Sequence, residues 1–137
     1  MRKLLVAEVA ALLVLLVVAV GVRFAGGKAG IFMEENCIFC KIIRGDFNTE
    51  FVLENDYAVV FNDINPAAPI HMLVVPKLHV ESLNELDNEE LLGKLMMTVR
   101  EVTKKIGLNS YKTLINTGKD AGQEVFHLHI HIMGDKK

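Results

Sequence analysis

Three of the five histidines in this chain alternate with aliphatic residues in the stretch His127-Leu128-His129-Ile130-His131-Ile132. Alternation is the period of a β-strand, so one face would carry the imidazoles and the other would pack into a core. Because a strand rises about 3.3 Å per residue, neighbouring imidazoles would lie ~6–7 Å apart. Such a row is either a metal-binding tract or the nucleophile and proton carrier of a reaction. The clean apolar face favours the reaction.

The two cysteines of the chain form the pair Cys37-Ile38-Phe39-Cys40. A redox dithiol usually begins a helix after a strand, near a βαβ unit, and no such pattern precedes this pair. Besides a redox dithiol, the pair could be two buried thiols or half of a zinc site, and the spacing suits the zinc site best. A zinc site needs two further ligands, and the histidines outside the alternating stretch are His71 and His79.

The elements that must position these side chains are short and closely connected. The sequence predicts a helical turn over Ile38–Arg44, strands over residues 50–54, 57–62 and 70–75, a helix from a cap at Asp87 to Ile106, and a strand over residues 111–116. The histidine stretch would be the fifth strand. The order β-β-β-α-β-β predicts an α+β fold, a five-stranded antiparallel sheet with one long helix packed on it.

A glycine-bearing loop over residues 117–122 leads into the histidine strand. Such loops expose backbone N–H groups and can hold a phosphate. Imidazoles beside a phosphate suggest transfer through a phosphorus–nitrogen bond, in which a ring nitrogen attacks phosphorus and water or another acceptor resolves the covalent intermediate. His71 lies on the predicted third strand, where a histidine without further context is more typical of a hydrogen-bonded core residue.

The N-terminal segment is strongly apolar from residue 4 to residue 22, broken only by Glu8. This is about the length that spans a bilayer. We therefore expect a single hydrophobic helix over residues 1–23 that anchors the protein in a membrane, followed by a flexible linker over 24–34. The alternatives are a cleaved signal peptide, or a start codon assigned too early, with Met33 as the true start of a cytoplasmic protein.

The charge balance limits the partners of the protein. Of 15 basic and 17 acidic residues in the chain, four and one lie in the first 33 positions, which leaves 11 and 16 beyond them and a net charge of −5. No basic stripe stands out in the sequence. A nucleic-acid polymer is therefore not expected as the main partner, whereas a small anionic ligand held by local donors is compatible with this composition.

The alternating stretch resembles the histidine triad of the HIT family, and the preceding Ala121-Gly122-Gln123-Glu124-Val125-Phe126 is similar to its Hint-like branch. The resemblance extends over roughly residues 35–134. It implies a HIT-like catalytic domain at residues 35–137 and a nucleotide hydrolase or transferase similar to purine nucleoside phosphoramidases. Hydrolysis of dinucleoside polyphosphates, nucleotidyl transfer and a non-catalytic nucleotide-binding module tethered to a membrane are the alternatives. The resemblance also implies a homodimer.

The same resemblance implies roles for individual residues. His129 would be the nucleophile on the α-phosphate, His131 would contact the phosphate and assist proton transfer, and His71 would be a fourth site histidine. Asp63 would hold the ribose hydroxyls. The phosphate would be held by Asn116 and the backbone around Gly122 and Gln123, and the base pocket would be lined by Ile38, Phe39, Ile42, Phe61, Ile64 and Leu73.

Relatives with the cysteine pair hold a structural zinc with that pair, with the histidine of a Pro-Lys-x-His turn and with the first triad histidine. Carried over, the ligands are Cys37, Cys40, His79 and His127. One departure concerns the substrate site. Several relatives place a serine or threonine near the phosphate where this chain has Glu124, whose carboxylate would repel phosphate unless it points away or acts on a leaving amine.

Overall fold

The computed structural model describes residues 34–136. The predicted hydrophobic helix and the predicted linker up to residue 33 lie outside these residues. The elements in chain order are α1 (Ile38–Arg44), β1 (Leu53–Glu54), β2 (Ala58–Asn62), β3 (Ile70–Pro76), a 3-10 turn (Leu83–Glu85), α2 (Glu89–Ile106), β4 (Tyr111–Leu114), a second 3-10 turn (Lys119–Ala121) and β5 (Ile130–Gly134). This confirms the α+β fold.

The five strands form one antiparallel sheet in the order β1-β2-β3-β5-β4. The histidine strand β5 is therefore an interior strand, between β3 and β4. In this register His131 is opposite Leu73 on one side and Leu114 on the other. Pairing on both edges fixes the direction in which the side chains of β5 point.

The two faces of the sheet bury different clusters, as the alternation along the strands predicts. One face packs on α2: Ala58, Val60, Met72, Val74, Leu128, Ile130 and Ile132 meet Leu91, Leu95, Val99 and Val102. The other face is covered by α1, where Val59, Phe61, Leu73 and Val75 meet Phe39. The aliphatic residues of the histidine stretch thus belong to the core under α2, and the imidazoles lie on the opposite side.

Four strands are shorter than predicted, and β2 loses only its first residue. The first is reduced to Leu53–Glu54, the fourth ends at Leu114, and the fifth begins at Ile130 instead of His127. The reason in the last case is that the preceding backbone leaves the sheet ladder, since the Leu128 N–H donates to the Val80 carbonyl at 2.7 Å. His127 therefore lies before the strand that carries His131.

The start of α2 also differs from the prediction. The cap is Asn88, one residue after the expected Asp87, and the Asn88 side-chain oxygen accepts from the Leu91 N–H at 3.0 Å. Asparagine and aspartate are about equally good caps, so local sequence alone does not choose between them. The predicted end at Gly107 is confirmed, because this glycine has φ +75°, a conformation that favours glycine.

For the residues that the structure describes, the prediction of a membrane-anchored protein is wrong. Within residues 34–136, no helix is both long enough and apolar enough to cross a bilayer. The longest, α2, has 18 residues and carries charged side chains in its first and last turns. The apolar run on which the prediction rested lies outside the residues described.

Candidate active site

His129 has one ring nitrogen committed to the backbone. Its Nδ1 lies 2.7 Å from the His127 carbonyl oxygen, so Nδ1–H donates and Nε2 keeps its lone pair. The side chain is buried, and the Phe39 ring meets it edge to face with the ring centroids 5.0 Å apart. Burial lowers the pKa of His129 below its usual value. His129 is therefore suited to act as a neutral nucleophile through Nε2.

A second chain of hydrogen bonds begins at the loop after β2. The Ala67 N–H donates to His71 Nδ1 at 2.9 Å, which places the proton of His71 on Nε2. His71 Nε2 lies 2.9 Å from His131 Nδ1 and 3.4 Å from an Asp63 oxygen. These groups are close enough to hold a metal, but a proton on His71 Nε2 makes that nitrogen a donor, which fits a hydrogen-bond chain better.

His131 connects this chain to His129. The two rings are 5.0 Å apart between centroids, closer than the ~6–7 Å expected for a regular strand. Because His131 Nδ1 accepts from His71, its proton lies on Nε2, beside the Asn116 side-chain amide, whose oxygen is the atom able to accept it. Burial lowers the pKa of His131. Two neutral imidazoles thus lie side by side.

A cavity of about 490 Å³ opens over these imidazoles. This volume is in the range of roughly 300–1,000 Å³ that small-molecule sites occupy. The predicted residues that line it are Ile38, Phe39, Ile42, Phe61, Asp63, Ile64, His71, Leu73, Asn116, Gly122, Glu124, His129 and His131. Residues far apart in sequence are therefore brought together around the histidines.

Four lining residues were missed by the sequence analysis: Thr49, Asn62, Asn65 and Val125. Asn62 and Asn65 flank Asp63, and their amides next to a candidate ribose ligand were a usable signal. Thr49 and Val125 carry no pattern that separates them from ordinary loop residues.

Gln123 is the predicted site residue that does not line the cavity. Its side chain is buried and holds the loop together: Oε1 accepts from the Gly118 N–H at 2.8 Å, and Nε2 donates to the carbonyls of Glu81 and Val125 at 2.7 and 3.1 Å. Its polar atoms are thus occupied within the protein. The side chain shapes the loop that leads to the histidines.

The other predicted group, Cys37, Cys40, His79 and His127, forms a second centre on the far side of Phe39. Each residue offers one ligand atom, and these atoms lie within 4.8 Å of one another. His127 Nδ1 is 3.3 Å from Cys37 Sγ, 3.6 Å from Cys40 Sγ and 3.2 Å from His79 Nδ1, and Cys40 Sγ is 3.3 Å from His79 Nδ1. A tetrahedral zinc requires about 3.6 Å between sulfur and nitrogen and about 3.3 Å between nitrogens.

The protonation states of this second centre agree with metal binding. His127 Nε2 lies 2.8 Å from the Pro76 carbonyl and donates to it, which leaves Nδ1 as the ligand atom. Burial lowers the pKa of His127 to about 4, so the ring is neutral. Burial also raises the pKa of the Cys40 thiol to about 12. A thiolate at this position therefore needs a nearby positive charge. The four residues fit a metal ion.

The family model described as HIT domain matches residues 44–137. The protein HitA of Neisseria gonorrhoeae is 54% identical over 103 residues, which is 73% of this chain and 96% of HitA.

Two solved structures have a similar fold. A HIT family hydrolase from Legionella pneumophila has a TM-score of 0.70 and 34% identity, covering 74% of this chain and 95% of that one. A histidine triad nucleotide-binding protein from Candida albicans has a TM-score of 0.65 and 34% identity, covering 71% and 73%. Because the family model matches more than half of this chain, the chain belongs to the HIT domain family.

Proposed function

We propose that this protein is a nucleotide hydrolase that attacks the α-phosphate of a purine nucleoside phosphoramidate through a nucleotidyl-His129 intermediate. The observation that carries the proposal is the neutral, buried His129, whose Nδ1–H is held by the His127 carbonyl while Nε2 is available beside the cavity. The similar Legionella protein is described as a hydrolase and the Candida protein as nucleotide-binding, which supports the same conclusion.

In the first step, His129 Nε2 attacks phosphorus and the phosphorus–nitrogen bond of the substrate breaks. The electron pair goes to the leaving nitrogen, which takes a proton from His131. The negative charge of the bound phosphate favours the protonated form of His131 before this transfer. In the second step, water attacks phosphorus, gives its proton to His131, and the bond to Nε2 breaks, which releases the nucleoside monophosphate.

His71 and Asp63 support the proton transfer by His131 in this proposal. The proton on His71 Nε2 orients the neutral form of His131 through the 2.9 Å hydrogen bond, and the nearby Asp63 carboxylate stabilises the positive charge when His131 is protonated. One Asp63 oxygen also accepts from the Asn65 N–H at 2.9 Å. Its remaining acceptor capacity is assigned to the ribose hydroxyls.

The remaining cavity residues divide by chemistry. The apolar side chains of Phe39, Ile42, Phe61 and Ile64 form the base pocket in this proposal. Asn116 and the backbone at Gly122 and Gln123 hold the phosphate, with the Gln123 side chain keeping the loop in place. The catalytic domain then corresponds to residues 35–137.

The charge of the cavity favours phosphoramidates over dinucleoside polyphosphates. Among the described residues, no lysine or arginine lines the cavity, and because burial lowers the pKa values of His129 and His131, neither imidazole is a permanent cation. A polyphosphate brings several negative charges that need fixed cations or a bound metal ion. A single α-phosphate needs only hydrogen-bond donors.

The second centre is assigned to a structural zinc held by Cys37, Cys40, His79 and His127. A closed set of four protein ligands leaves no open position for substrate, which is typical of structural sites. The ion would supply the positive charge that a buried thiolate requires. Its role here is to fix α1, and with it Phe39, against the histidines.

Intact-protein mass spectrometry tests the proposed reaction. The full chain is mixed briefly with an adenosine phosphoramidate, together with its His129→Ala variant and a His71→Asn variant. We expect a transient adduct of one AMP on the parent, none on His129→Ala, and a loss of turnover in that variant of about 10³-fold or more. His71→Asn should still form the adduct, about 10²-fold more slowly.

Full turnover by His129→Ala would exclude this mechanism. Tight binding of AMP with neither adduct nor hydrolysis would favour a nucleotide-binding module instead. The homodimer implied by the family resemblance is measured separately, by sedimentation velocity of the same preparation.

A further inference from the structure

We propose that Glu124 selects the leaving group, and that the substrates preferred by this protein are nucleoside phosphoramidates whose amine carries a second, positively charged group. This inference rests on the proposed function, because it names the leaving group of the same reaction. The leaving group on the far side of phosphorus from the nucleoside would meet the Glu124 carboxylate.

The charge of the cavity supports this assignment. Asp63 and Glu124 are its two acidic lining residues, and no lysine or arginine lines it among the residues described. Asp63 is engaged by the Asn65 N–H and by His71. Within residues 34–136, the Glu124 carboxylate has no hydrogen bond or ion pair with the protein. Because Asp63 is assigned to the ribose hydroxyls, Glu124 is the cavity carboxylate left available to the leaving group.

The backbone around Glu124 is firmly held although its side chain is exposed. Gln123, the residue before it, is 3% exposed. Its amide donates to the Val125 carbonyl at 3.1 Å and to the Glu81 carbonyl at 2.7 Å, and accepts from the Gly118 N–H. The hydrogen bond between Gln123 and Val125 spans Glu124 and fixes where its side chain leaves the loop.

The position of Glu124 relative to the reacting groups also supports this assignment. It lies two residues after Gly122, in the loop assigned to the phosphate, whereas the apolar base pocket is formed by α1 and the β2 end. An acidic side chain beside an anionic phosphate is unfavourable unless a cation accompanies it. A protonated amino group on the leaving amine supplies that cation within the substrate itself.

A matched set of three adenosine 5′-phosphoramidates tests the proposal. Their amines are propane-1,3-diamine, n-butylamine and 3-aminopropanoate, which are similar in length but give a positive, neutral and negative leaving group. Values of kcat/KM are measured for the full-length parent and for Glu124→Gln, and only the ratios between substrates within each enzyme are compared. We expect the parent to prefer the cationic over the neutral compound by about three- to tenfold, and to prefer the anionic compound least.

In Glu124→Gln these ratios should fall to within about twofold, and high salt should weaken the preference of the parent. Equilibrium binding of the three compounds to His129→Ala and to His129→Ala/Glu124→Gln, measured by calorimetry, gives the same ranking without turnover. Equal affinities in the first of these variants, or an unchanged ranking in the second, would overturn the proposal. Absence of turnover with an intact ranking would instead refute the proposed reaction and leave the charge selection standing.

Discussion

Three histidines near the active site, His71, His127 and His129, each have one nitrogen fixed by the backbone, and the choice of nitrogen differs from residue to residue. His127 donates through Nε2 to the Pro76 carbonyl and presents Nδ1 to the cysteines. His129 donates through Nδ1 to the His127 carbonyl and presents Nε2 to the cavity. Two histidines of one motif are thereby made suitable for different chemistry, since the available nitrogen decides which partner can be reached.

The protonation of His129 can be measured directly. Burial lowers its pKa, so the protonation midpoint should lie below the ordinary histidine value of about 6.5, and the ring should be neutral at pH 7. A titration of the imidazole nitrogens by NMR checks this midpoint. The urea-unfolded protein is the control, in which all five histidines should titrate near 6.5. A folded-state midpoint at or above that value would contradict a burial-controlled nucleophile.

At the level of elements, helix α1 contributes to both centres. Cys37 is its N-cap and accepts from the Cys40 N–H, so the pair is folded into one turn. Phe39 lies between the two centres, and its ring centroid is 5.9 Å from that of His127 and 5.0 Å from that of His129. A seven-residue helix is too short to be stable alone. Its position therefore depends on packing against the sheet and on the group that includes its two cysteines.

The start of the longer helix α2 gives a test of the observed cap. Asn88→Ala removes the acceptor of the Leu91 N–H and should lower the free energy of unfolding by about 1 kcal/mol. Asp87→Ala, at the exposed position that the sequence favoured, should change it by less than about 0.5 kcal/mol. Urea unfolding followed by circular dichroism measures both variants. A larger effect at Asp87 would mean that the helix begins one residue earlier.

At the scale of the whole molecule, the cysteine–histidine group joins segments that lie 90 positions apart, from Cys37 to His127. Bringing distant segments together has an entropic cost, which a bound ion offsets when it binds only the folded chain. The group connects α1, the turn after β3 and the segment before β5, so it fixes the frame around the cavity.

The metal prediction has a matched pair of histidine variants. Freshly purified parent should contain about one zinc per chain, and His79→Asn should lose most of it and melt about 10 °C lower. His71→Asn removes a histidine from the cavity group and should keep the metal. Elemental analysis and thermal unfolding measure the two effects. A parent without zinc, or metal loss in His71→Asn, would contradict the assignment.

The alternation of the histidine stretch and the capping pattern of the helices were enough to predict the α+β fold, the packed helix and the two faces of β5. These features follow from local periodicity, which can be seen directly in the sequence. The resemblance to the HIT family then assigned chemistry to positions that local pattern alone leaves ambiguous, such as His71.

Only the tertiary structure decided where each ring nitrogen points, where β5 begins and which loop residues face the cavity. The late start of β5 depends on the hydrogen bond from Leu128 to Val80, and the buried position of Gln123 depends on its hydrogen bond to Glu81; both partners are distant in sequence. The cap of α2 could be supplied by Asp87 as well as by Asn88 as far as the local sequence shows. Sequence thus determined the periodic elements and the residue types of the site. Hydrogen bonds between distant segments determined its geometry, because they exist only once the sheet has brought those segments together.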